Sequence, residues 1–132
     1  MIARVISVEN TLNHAKAGLM FRESLTPDSK HAEAAVTPVD GTQFLVRGKD
    51  ADKTTSAKTG LNKGVFPYWI KLVRAGDKFS GYESTDGEKW TLIGETNVTM
   101  KAEVYAGLVT SSHQKTKLCA SVIDKVAVQD GK

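Results

Sequence analysis

Short runs of β-branched and aromatic residues follow one another along this chain, each closed by Gly, Pro, Asn or Asp, and no long segment repeats at the helical period of 3.6. That pattern predicts an all-β protein. Strands are expected over Ile2–Val8, Ala15–Ser24, His31–Thr37, Gln43–Arg47, Tyr68–Arg74, Lys78–Ser84, Trp90–Glu95, Val104–Thr110 and Lys117–Val128, the last with a break near Asp124. The residues 10–16 read as a loop leading into a strand. Thr26-Pro27-Asp28-Ser29, Pro38-Val39-Asp40-Gly41, Ala75-Gly76-Asp77 and Thr85-Asp86-Gly87 supply turn residues that tolerate the backbone of tight hairpins. Hairpins at those places impose antiparallel pairing.

Along several strands one face is apolar and the other mixed, as in Phe44 and Val46 against Gln43, Leu45 and Arg47, or Ile70 and Leu72 against Lys71 and Val73. Two other stretches, Gly18–Phe21 and Val104–Val109, carry few polar side chains on either face and read as central strands covered on both sides. Two stacked sheets satisfy both patterns. With 132 residues, 40% of them hydrophobic, the chain reads as a single domain over 1–132 whose core requires no disulfide or metal. Its only cysteine, Cys119, reads as a small buried hydrophobe in an apolar run and leaves the redox compartment open.

Eighteen Lys and Arg against fifteen Asp and Glu give a net charge of +3, and the basic residues are spread singly. The densest stretch, Lys49–Lys63, alternates with Asp50 and Asp52 and has no aromatics on which bases stack, so it reads as a solvated hairpin or loop and no nucleic-acid partner is expected. No apolar run approaches the ~20 residues of a membrane span, and Met1–Val5 lacks the basic and apolar segments of an export signal. Neither membrane nor export is expected from these residues, and localisation stays open between cytoplasmic and, for a fragment of a secreted protein, extracellular.

The run Ala15–Ser24 (AKAGLMFRES), then Asp28–Ala32, Pro67–Arg74 (PYWIKLVR), Phe79–Thr91 (FSGYESTDGEKWT) and Val104–His113, resembles the regulation-of-enolase-protein-like, laminin-G-like branch of the concanavalin A-like lectin/glucanase superfamily. The resemblance implies a jelly-roll-type antiparallel β-sandwich with a concave sheet that carries a ligand site in many relatives. Family members begin several strands earlier, so Ile2–Val5 corresponds to an internal strand of theirs. A sheet missing its neighbour exposes backbone groups and apolar surface. A homodimer through that open side is therefore expected.

Glycan hydrolysis needs two carboxyl groups facing each other across the scissile bond, and no strand offers an alternating pair. Glu83, Asp86 and Glu88 straddle a turn, and Glu23 is expected to form an internal salt bridge with a cation on a neighbouring strand. His14, His31 and His113 are dispersed, no Ser stands in a nucleophile elbow, no His or Cys spacing suits zinc, and no glycine opens a phosphate-binding helix. No cofactor is expected beyond a calcium that the resemblance allows at Asp28, Asp40 or Asp77.

Sugar recognition uses flat aromatic faces and a few fixed polar groups. The candidate ligand-binding residues are Trp69 and Tyr82, the cations Arg22, Arg47 and Lys71, and His113 at the rim, with Trp90 considered alongside but read as a core anchor. The chain is thus expected to be a non-catalytic module binding carbohydrate through a sheet face. The alternatives are a structural or self-association module without a small ligand and, third, a glycan hydrolase.

Overall fold

The computed structural model describes residues 1–59, 62 and 64–129. Its strands are β1 (Ile2–Val8), β2 (Lys16–Arg22), β3 (His31–Val36), β4 (Thr42–Arg47), β5 (Thr55–Lys58), β6 (Tyr68–Ala75), β7 (Lys78–Ser84), β8 (Thr91–Asn97), β9 (Tyr105–Ser111) and β10 (Ser121–Ala127). They form two five-stranded sheets, in the orders β10-β1-β6-β7-β8 and β5-β4-β3-β2-β9, with antiparallel pairing throughout the ladders. The protein is an all-β sandwich. The turn residues act where the pattern placed them: Gly41, Gly76 and Gly87 take positive φ of 88°, 63° and 78° and close the hairpins β3–β4, β6–β7 and β7–β8.

The core lies between the sheets. Leu19, Phe21, Ala34, Phe44 and Val46 from one sheet meet Val5, Ile70, Leu72 and Phe79 from the other. Burying each large aliphatic side chain contributes ~1.5–3 kcal/mol against the ordering entropy of the strands. Phe21 and Phe79 stand 6.1 Å apart across the interior. Opposite Phe44, Gly81 and Gly94 leave a slot for its ring, since a Cβ on them would lie 2.7 Å and 3.0 Å from ring carbons.

The segment read as a solvated hairpin or loop is an exposed hairpin in which Thr55–Lys58, not among the expected strands, pairs antiparallel with β4; residues 60, 61 and 63 of that segment lie outside those described. Two features differ from the sequence pattern. The 104–109 stretch, read as a central strand, forms the edge strand β9. The expected long final strand begins only at Ser121; Leu118 projects at 93% exposure while Cys119 packs half-buried against the core. Its irregularity near Asp124 is present as a register shift against β1 and a positive φ at Lys125.

Candidate functional site

Tyr68, Ile70 and Leu72 of β6 point into the core, so Trp69, Lys71 and Val73 alternate onto the outer face of the first sheet. There Lys71 pairs across strands with Tyr82, and its Nζ lies 4.7 Å from the centroid of the Tyr82 ring and 4.4 Å from that of Trp90. Partial burial draws the ammonium below the ordinary lysine range. Two ring faces replace part of its lost hydration, at about 0.5–2 kcal/mol per contact. Among the described residues no carboxylate forms an ion pair with it. Leu92, opposite Tyr82 on β8, extends the apolar floor.

The hairpin from β7 to β8 delivers this arrangement. Asp86 accepts the N–H groups of Lys89 and Glu88, which hold its carboxyl down at about 2, while Ser84 Oγ accepts the N–H groups of Asp86 and Gly87. The turn brings Gly87 onto the Trp69 indole, where a Cβ would stand 2.8 Å from Cε2. On β1, the Arg4 guanidinium lies 5.9 Å from the Trp69 ring and donates to both Asp124 oxygens at 2.8 Å and 2.6 Å. Trp69 is thus packed between Gly87 and Arg4, whereas Tyr82 and Trp90 flank Lys71, and all four side chains, Trp69, Lys71, Tyr82 and Trp90, are half-buried. Trp90 is half-buried on this outer face rather than a core anchor, its ring lying against the outward-facing Lys71 just before β8.

Arg22 and Arg47 occupy the other sheet, flanking His31 in one cross-strand row. Their N–H groups serve loop carbonyls: Arg22 those of Ser24 and Thr26, Arg47 those of Pro27, Ser29 and Asp52. They hold the turns together. Beside them, sequence reasoning missed a row of buried polar atoms: His31 Nδ1, Glu33 Oε1 and Gln43 Oε1, which have no hydrogen-bond partner among the described residues and belong to residues only 6% exposed. Burial raises Glu33 to about 7, against the pull of Lys16 and Arg22, and lowers His31. The signal available was a lone carboxylate inside the small, apolar run HAEAAV.

The six sequence-predicted residues therefore divide. Trp69, Lys71 and Tyr82 come together on one sheet, and Arg22 and Arg47 share the opposite one. His113 lies on the loop after β9 with its ring 5.6 Å from that of His14, which faces Asp40 at 3.5 Å. Asp28 and Asp77 sit in separate turns, and among the described residues no group of three or more His, Cys, Asp or Glu converges on a common point. Glu23 forms a salt bridge, as expected, but with Lys30 at 3.2 Å in the connection before β3 rather than with a cation on a neighbouring strand, and it accepts the Lys101 N–H. Glu83 turns into the interior and accepts hydrogen bonds from Tyr68 and Thr59, far from any pairing with Asp86 or Glu88. No protein-family model matches the chain, and comparison with curated proteins and with solved structures finds no match.

Proposed function

We propose that this protein is a non-catalytic carbohydrate-binding module whose site is the outer face of β6, β7 and β8. One observation carries the reading: the Lys71 ammonium, without a carboxylate partner among the described residues, is held between the Tyr82 and Trp90 rings. An aromatic ring takes the apolar face of a pyranose, and a partly desolvated ammonium beside it suits a sugar carboxylate or sulfate. Acidic glycans are the favoured class. Of the strands of the opposite sheet only β3 bears a carboxylate, Glu33, whereas hydrolysis calls for two. The concanavalin A-like, jelly-roll assignment drawn from the residue runs above belongs to the same proposal.

Screening on an array of neutral and acidic glycans tests it. Retention of uronic or sulfated glycans, weakened at least tenfold by Tyr82→Ala and by Lys71→Ala with the melting temperature nearly unchanged, is the expected result. Absence of binding to every acidic glycan, or binding indifferent to both substitutions, overturns it.

A further inference from the structure

We propose that β9 is a strand-addition edge and that its occupant is β9 of a second copy, running antiparallel about a two-fold axis through Leu108. This stands apart from the carbohydrate reading, which uses the other sheet.

An exposed sheet edge invites pairing unless something blocks it. Of the four edge strands, three carry such a block. The strand β5 has only 4 residues. The strand β8 carries Glu95 and a register shift against β7. The strand β10 carries Asp124 and Lys125, two register shifts against β1, and a positive φ at Lys125. The strand β9 has none of these: its seven residues, YAGLVTS, hold no charge and no proline and pair with β2 without a shift. It also has the composition of a strand with a neighbour on each side while occupying an edge.

Its surface is open as well. Ala106, Leu108 and Thr110 lie opposite the core residues Phe21, Leu19 and Ala17 and so face the interior, yet Leu108 remains 52% exposed. Between β9 and β10 lies an open cavity of about 310 Å³ lined by Leu108, Val109, Thr110, Ser121 and Ile123. Inward-facing apolar residues left in water at an unprotected edge mark a contact surface.

Any strand can pair with its own copy about its central residue, here Leu108, and what that register brings together argues for the second copy. The register sets Tyr105 against Ser111 of the second copy, Gly107 against Val109, Ala106 against Thr110, and Leu108 against Leu108. Large residues meet small ones along the outer face, and no charge is buried. Two residues beyond the strand, Glu103 comes opposite His113 of the second copy. The product is a continuous ten-stranded sheet in which both Leu108 side chains close over the open flanks.

Light scattering over a micromolar concentration series is expected to give twice the chain mass. In a Cys119→Ser background, Leu108→Cys places two sulfurs at the axis, with Cβ atoms about 4.5–5.5 Å apart, and cross-links on mild oxidation. Thr110→Cys puts its two copies ~13 Å apart and does not. Leu108→Lys, on a half-exposed position, is expected to yield a folded monomer. A monomer for the unsubstituted chain at every concentration overturns the proposal, as does a dimer in which Thr110→Cys cross-links and Leu108→Cys stays reduced.

Discussion

Glu33 makes a quantitative prediction about how stability depends on pH. Its side chain sits on β3 at 6% exposure, its Oε1 has no partner among the described residues, and burial raises its pKa from the ordinary 4.5 to about 7 despite Lys16 and Arg22 nearby. The folded protein therefore holds this proton more tightly than the unfolded chain does. The resulting stabilisation is complete below about pH 4.5 and is lost as pH rises through about 7. At about 1.36 kcal/mol per pH unit the gap amounts to ~3 kcal/mol. Replacing the carboxyl by an amide, Glu33→Gln, removes the titration and leaves an unpartnered N–H pair whose cost, ~1–3 kcal/mol, does not vary with pH. The variant is accordingly expected to be less stable near about pH 4 and to gain ~3 kcal/mol on the unsubstituted protein by about pH 8.5. Urea unfolding of both proteins at each pH reads this difference directly, since other titrating groups cancel and an unchanged slope certifies the comparison. Two stability curves that run parallel across that range would refute the reasoning and place Glu33 in contact with water.

Other positions test the packing. Gly87→Val forces a branched residue into a left-handed backbone, at ~1–2 kcal/mol, and drives its Cβ against Trp69, so the melting temperature should fall clearly; an unaltered value contradicts the turn geometry. Trp90→Ala, at a half-buried outer position, should cost less than the ~3–5 kcal/mol of a core tryptophan, and a loss in that range by denaturant titration would return Trp90 to the interior. Tyr68→Phe leaves the buried Glu83 carboxylate with Thr59 as its side-chain partner and should cost ~1–3 kcal/mol, measured by equilibrium unfolding; no change would show that the hydroxyl contributes nothing. Gly18→Ala sets a Cβ 2.0 Å from the Ala34 carbonyl oxygen, which cannot move without breaking the β2–β3 ladder, so folded yield should collapse; normal expression with a native circular dichroism spectrum contradicts that packing.

Local chemistry determined much of the fold. The alternation in Tyr68–Ala75 and in Thr42–Arg47 is a property of neighbouring residues, as is the need for positive φ at Gly41, Gly76 and Gly87, so strands, hairpins and antiparallel pairing were legible in the sequence. Tertiary structure alone decided which strand lies at an edge and which residues share a face. Val104–Val109 has the apolar composition of a central strand, and composition carries no information about whether a neighbour is present; the strand order places it outermost. Lys71, Tyr82 and Trp90 are dispersed in sequence and meet only because β6 and β7 pair in one register and the β7–β8 turn folds back over that face. Arg22 and Arg47 belong to β2 and β4 of the opposite sheet, where their own pairing with β3 aligns them, since a residue's side of a sandwich follows from its sheet as well as from its parity along the strand. Glu33 shows the same division: the sequence displayed a carboxylate among alanines, and only the packing around β3 buried it and raised its affinity for a proton.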